Sequence, residues 1–355
     1  MKPAKSFFWY ISHEKHLSFL FSLIFVLILI SLFFLFQTTE EKALICNDRT
    51  LYDACSLNRP YYCSNGILIE KASLCGCPGI FNEKNNSCIS DYHENPKQIT
   101  LKYILEDNES EINFTVYEEM MGYVSEISRS IDYKGEEEPL RVDFKLKNIN
   151  EENQREFLLP LVVEIQNLVS DKDEQARIAI SIVQNIPYGF SNKTSRLSGT
   201  NSVNYLRYLY EVLYDFQGVC GEKSQLLSFL LKELGFKTAI FYNQQENHES
   251  VGVKCPIEER WWNTGYCFVE TSGPSIITDT SITYAGGIVL ESKPEVMKIS
   301  NGFSLSRGLQ EYEDAEDLME INKKVRETKE INFLDNLRLE ELKEKYGLLD
   351  EYNLF

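Results

Sequence analysis

Residues 218–235 read GVCGEKSQLLSFLLKELG, with Cys220 between a Gly-Val pair and Gly221, directly ahead of leucines at helical spacing. A thiol is a strong nucleophile only as the thiolate, and a helix N-terminus favours that anion through unpaired backbone N–H groups and aligned peptide dipoles. Gly218 and Gly221 permit the close backbone approach such a turn needs, and the same N–H groups suit an oxyanion on an attacked carbonyl. Cys220 is therefore a candidate nucleophile, and it needs a base. Of the four histidines, His13 and His16 precede an apolar run and His93 borders a cysteine-rich stretch, which leaves His248 in the large C-terminal part. His248 opens a strand after the polar turn NQQEN. A third group should orient the imidazole. Glu270 suits this role, because an early residue of one antiparallel strand meets a late residue of the next; Asp279 is the reserve. Glu222 and Lys223 read as solvated residues of the first helical turn, with Glu222 favoured by the helix dipole.

The elements that must hold these groups are legible in the patterning. Leu226, Leu227, Leu230, Leu231 and Leu234 repeat at helical spacing and Gly235 caps their helix. KTAIFYN (237–243), SVGVKC (250–255) and YCFVETS (266–272) read as strands, and the PIEERWWNTG between the last two fits an antiparallel hairpin. Trp261 and Trp262 in that loop either grip a substrate or pack over the sheet. Upstream, residues 150–169 predict a helix with Phe157, Leu158, Leu161, Val162, Ile165 and Leu168 on one face. A second helix begins at a Ser170 cap with Asp173 three residues on, and Pro187 stops it. Residues 98–146 hold three strand-like segments, ITLKYIL, INFTVYE and LRVDFKLK. From about Leu309 the chain is charge-dense and predicts solvated, partly packed helix.

The remaining composition bounds the setting. The chain has 355 residues, a net charge of −18 and 43% apolar residues. A sizeable core is affordable, and nucleic acid, whose phosphates demand a cationic surface, is not an expected partner. Residues 17–36, LSFLFSLIFVLILISLFFLF, carry no charge. Twenty residues at helical rise cover roughly 30 Å, a bilayer's hydrocarbon thickness. The run exceeds a signal peptide's apolar region and lacks a small-residue cleavage site, so it reads as an uncleaved anchor. Lys2, Lys5 and Lys15 before it and Glu40 and Glu41 after it keep the N-terminus cytoplasmic and the bulk of the chain outside. Cys46, Cys55, Cys63, Cys75, Cys77 and Cys88 then read as a disulfide module of open connectivity, since their spacing lacks the paired ligands of a zinc module. The sequons at Asn85, Asn108, Asn113 and Asn192 agree with export. If Cys255 pairs with Cys267, Cys220 is the one unpaired thiol. Placed directly opposite, however, that pair sets Glu270 against Gly252, about 13 Å along the strand from His248. A simple ladder cannot bring both pairs face to face, so the bridge requires a bulge or a diagonal geometry.

VQNIPYGF, GVCGEKSQLLSFLLKELGFKTAIFY, NHESVGVKC and YCFVETSGP, in that order, resemble a transglutaminase-like domain. The resemblance spans about residues 165–290. It implies a papain-like α+β architecture, with a helix-borne cysteine packed on an antiparallel sheet. It implies Cys220 as nucleophile, His248 as base and Glu270 at the acid position, where the family most often has aspartate. Tyr214 and Gln217 are both candidates for completing the oxyanion hole. The expected organisation is a cytoplasmic tail (1–16), a transmembrane helix (17–36), a cysteine-rich module (40–92), an α+β domain (95–300) and an acidic helical tail (305–355). The expected function is cysteine acyl transfer on a protein or peptide substrate, hydrolytic rather than cross-linking, without metal or organic cofactor. The alternative is a non-catalytic surface binding or assembly protein that keeps the fold.

Overall fold

Alternation of apolar and polar residues after Gly235 produces a four-stranded sheet that carries the candidate site. The computed structural model describes residues 25–26, 45–132, 135, 138–196, 202–281 and 289–349, and the chain from Ile45 onward forms one unit. That unit opens with two small hairpins, β1 (Tyr61–Ser64) with β2 (Ile67–Glu70) and β3 (Asn82–Lys84) with β4 (Ser87–Ile89). A long hairpin of β5 (Pro96–Leu105) and β6 (Asn108–Tyr117) follows, and later a short one of β7 (Thr194–Arg196) and β8 (Ser202–Asn204). The main sheet contains β9 (Thr238–Asn243), β10 (His248–Lys254), β11 (Tyr266–Val269) and β12 (Glu295–Lys298), ordered β11-β10-β9-β12 and antiparallel throughout. The chain is thus α+β with antiparallel sheets and a disulfide-rich region.

The helix Cys220–Glu233 lies at the centre. Leu226, Leu227, Leu230 and Leu231 are fully buried against Ile240, Val251, Val253 and Val269 of the sheet. Each such side chain contributes about 1.5–3 kcal/mol on burial. The helices Arg141–Ile149, Lys172–Asn185 and Leu209–Asp215 touch its remaining sides. Residues from Glu222 to Leu231 are therefore all buried, and the expected solvated face does not exist. The opposite face of the sheet has a smaller core of Ala239, Phe241, Tyr266 and Phe268. Trp261 covers it, its ring centroid 5.4 Å from that of Phe241 and 4.8 Å from that of Phe268, whereas Trp262 is exposed. Gly252 is required here, since a Cβ would come within 2.5 Å of the Phe241 ring.

Several expectations are corrected. LRVDFKLK forms the helix Arg141–Ile149, not a strand. The Asp143 carboxylate accepts the Leu140 N–H at 2.8 Å, and this N-terminal cap outweighs the two-residue alternation. Asp171 rather than Ser170 caps Lys172–Asn185, accepting the Glu174 N–H at 3.0 Å. The cysteine-rich stretch docks on the rest of the chain, with Tyr61, Cys63 and Leu68 in the main core. The Asn167 amide completes the docking, bonding both the N–H and the C=O of Leu68 at 2.9 Å. The acidic tail folds back as two helices, Gln310–Thr328 and Phe333–Tyr346, with their own core of Leu318, Ile321, Val325, Leu339 and Leu342 around Ile276. Tyr312 joins the main core, and Arg177 bonds Glu311 at 2.8 Å. The apolar run at residues 17–36 lies outside the described residues apart from Phe25 and Val26, which are helical. No helix among the described residues is long and apolar enough to cross a membrane.

The disulfides are Cys46–Cys63, Cys55–Cys75, Cys77–Cys88 and Cys255–Cys267, and Cys220 is a free thiol. Denatured without reductant, the chain should titrate a single thiol with a disulfide-forming reagent, and the alkylated peptide should contain Cys220. A second titrating thiol would contradict the pairing.

Candidate active site at the head of the central helix

Cys220 is the first residue of its helix and is half-buried. The loop in front of it is held by charge. The Glu222 carboxylate reaches back to accept the Val219 N–H at 3.0 Å, and it also accepts the Arg207 N–H at 2.7 Å and the Arg207 guanidinium at 3.1 Å. Arg207 is only 1% exposed and bonds Asp215 at 2.8 Å and the Gly189 carbonyl at 3.1 Å. Burial raises the Glu222 pKa while Arg207 and the two N–H groups lower it. Such a pair persists in the interior because its hydrogen bonds are filled. Glu222 thus fixes the turn that presents Cys220 and is not the solvated residue expected.

The thiol meets His248. The Cys220 side chain is one of the groups that raise the His248 pKa, and His248 Nε2 lies 2.9 Å from Glu270 Oε2. His248 is 3% exposed and Glu270 1%. The other Glu270 oxygen accepts the Ser272 N–H at 2.7 Å. Burial lowers the His248 pKa, but the Glu270 charge and the hydrogen bonds to Cys220 and Glu270 overcome it and raise it to about 10. Burial likewise raises the Glu270 pKa, and the imidazolium and the Ser272 N–H bring it below the usual carboxylate range.

The conflict between disulfide and site is resolved by the diagonal geometry, which holds for both pairs. Val251 faces Val269 and Val253 faces Cys267. Continued along the ladder, this register leaves Cys255 two residues diagonal to Cys267 on one side and His248 two residues diagonal to Glu270 on the other. Diagonal neighbours remain within reach of side chains. The disulfide closes with Cα atoms 5.7 Å apart. No bulge is needed, and neither pair sits face to face.

Lys223 was missed as a site residue. Its side chain is fully buried, and its ammonium donates to the carbonyls of Gln184 at 3.3 Å, Ile186 at 2.5 Å and Ser272 at 3.2 Å. Burial pushes its pKa down to about 7 against the pull of Glu270 and Cys220. Its one sequence signal is its place one turn after Cys220. Neighbouring polar groups lock the same corner. Ser224 Oγ bonds Thr271 Oγ1 at 2.9 Å, and Gln184 Nε2 donates to the carbonyls of Glu270 and Ser275 at 3.0 and 3.1 Å.

The other candidates are dispersed. Gln217 adjoins the Cys220 turn, and its amide oxygen would be 2.8 Å from a Cβ on Gly189. Tyr214 holds the Lys97 ammonium, 4.6 Å from its ring centroid and 2.7 Å from its carbonyl oxygen. Asp279 is fully buried but accepts from Ser281 at 2.8 and 2.6 Å, with burial pushing its pKa up to about 6. Glu270, not the reserve, is the carboxylate on His248. Among the described residues no group of three or more His, Cys, Asp or Glu could hold a metal.

Lys223→Met should cost about 2–4 kcal/mol in denaturant unfolding, since it strands three buried carbonyls; an unchanged midpoint would contradict the assignment. The histidine yields a second expectation. A folded pKa raised from 6.5 to about 10 contributes stability that is complete below pH 6.5 and is lost as pH rises toward 10. The wild-type Tm advantage over His248→Gln should therefore shrink across that window. A difference independent of pH would contradict the ion pairing.

No family model, no curated protein and no solved structure matches the chain.

Proposed function

We propose that this protein is a membrane-anchored, extracytoplasmic cysteine acyl-transfer enzyme with a transglutaminase-like, papain-like core, acting as a peptidase or amidase. One observation carries the reading: a buried imidazole bonds Glu270 at 2.9 Å, and its pKa is raised both by Glu270 and by the side chain of a helix-leading cysteine. The arrangement matches what nucleophilic catalysis requires, a nucleophile, a base and a group that orients the base. The anchor rests on the apolar run at residues 17–36. Export is supported by four disulfides and by the exposure of Asn85, Asn108, Asn113 and Asn192.

Glu270 engages His248 Nε2, so Nδ1 serves the sulfur. The Cys220 thiolate attacks the amide carbonyl, a C–S bond forms, and backbone N–H groups at the helix start stabilise the oxyanion. The C–N bond breaks as the imidazolium gives its proton to the leaving amine. Water then attacks the thioester, passing its proton to the imidazole. The C–S bond breaks, the acid leaves and the thiolate–imidazolium pair returns. Gln217, next to the nucleophile's turn, suits an oxyanion donor better than Tyr214, whose ring is engaged by Lys97. Hydrolysis requires only water as acceptor, whereas cross-linking requires a site for an amine. The expected substrate is a protein or peptide.

Iodoacetamide should alkylate Cys220 in the folded chain at pH 6, where an ordinary thiol is almost entirely protonated. His248→Ala should slow this by about a hundredfold, Glu270→Gln should slow it by about tenfold, and Cys220→Ala should abolish it. Reactivity no greater than that of glutathione would leave a non-catalytic surface binding or assembly protein with the same fold.

A further inference from the structure

A cavity of about 370 Å³ opens beside the site, lined by Arg129, Arg141, Phe144, Lys145, Lys147 and Asn148 of the segments preceding the core, with Gln225 of the central helix behind them. Cys220, His248 and Glu270 do not line it, but two lining residues reach their neighbours in the chain. The Gln225 amide donates to the carbonyl of Gly221, the residue after Cys220, at 2.9 Å. Lys145 bonds Glu249, the residue after His248, at 2.5 Å, and a Cβ on Gly221 would lie 3.6 Å from the Lys145 ammonium. The cavity therefore begins one residue away from both the nucleophile and the base.

Its charge is opposite to that of the chain. Four cations face it, and the carboxylates that meet them are Glu211, on Arg129, and Glu249, shared by Lys145 and Arg141. Lys147 meets no carboxylate among the described residues and donates to the carbonyls of Ser128 and Ser130 at 2.7 and 2.6 Å. Among the described residues four positive groups meet two carboxylates, in a protein of net charge −18. Arg129 spends its donors on protein partners, but Lys145 makes one such bond and the Arg141 side chain is 44% exposed, held over the Tyr242 ring at 3.7 Å. A buried acceptor lies among the lining groups. Asn148 is 8% exposed, its amide nitrogen donates to Gln225 at 3.1 Å, and its Oδ1 accepts no hydrogen bond among the described residues. The cations suit a carboxylate, and the reading of Cys220 as attacking an amide makes a peptide with aspartate or glutamate the occupant.

We infer that this cavity is a substrate subsite for an acidic side chain of a peptide, next to the amide that Cys220 attacks. The inference rests on the acyl-transfer reading for its meaning, but its test does not need a reactive thiol. Three rhodamine-labelled peptides of alanine and serine would be titrated against the full-length Cys220→Ala chain. One carries two central glutamates and an amidated C-terminus, the second replaces them by glutamines, and the third is the glutamine peptide with a free C-terminal carboxylate. The glutamate peptide should bind about tenfold more tightly than its glutamine twin at low salt. That preference should shrink as salt rises to about 0.3 M, through screening, and should largely disappear in Arg141→Gln and in Lys145→Met. Equal affinity for glutamate and glutamine, a preference for the free C-terminus alone, or a preference that survives both substitutions would overturn the subsite. Loss of Cys220 alkylation with the glutamate preference intact would instead remove the catalytic reading.

Discussion

A hydrogen bond between His248 and Glu270, closed off from water, is the interaction on which the site depends. A carboxylate in that position would be expensive alone, because burial disfavours its charge. The imidazolium and the Ser272 N–H offset that cost. The histidine in turn keeps its proton because the Glu270 charge and the hydrogen bonds around the ring outweigh burial. Each ionised group therefore requires the others. Burial works against the Lys223 charge as well, and three backbone carbonyls offset it.

The surrounding architecture serves that cluster. The central helix is enclosed on every side by helices and sheet, so its first turn cannot drift, and Glu222 and Arg207 hold the preceding loop with bonds of 2.7–3.1 Å. Lys223 ties the end of the Lys172–Asn185 helix to the segment that follows Glu270. On the far end of the same strands, the Cys255–Cys267 bridge pins the ladder whose register sets His248 against Glu270. The disulfide and the hydrogen bond share one register, each pair displaced by two residues in opposite directions.

Much of this was readable before the structure, for physical reasons. Cysteine and histidine are rare in the core, so few combinations of nucleophile and base existed, and the leucine spacing after Cys220 left one helix to carry the thiol. The disulfide framework followed from an even count in one short stretch, though its connectivity did not. Other features depend on distant partners. Nothing local distinguishes Lys223 from a solvated lysine, since its three carbonyls come from residues 184, 186 and 272. Glu222 looked like a surface cap because Arg207 is fifteen residues away in the chain. LRVDFKLK alternates like a strand, but it has no neighbour to pair with and a carboxylate ready to cap a helix, so the local cap prevails. The register was legible only as two conflicting demands, and its midpoint emerged from the folded ladder.

The central claim is that His248 is a buried imidazolium between a carboxylate and a sulfur. Nitrogen-15 NMR of the histidine-labelled chain at pH 8 tests it most directly, because an unperturbed histidine is neutral there. The account predicts that both ring nitrogens of His248 carry protons and that Glu270→Gln removes one of them. A neutral imidazole at pH 8, unchanged by that substitution, would contradict it.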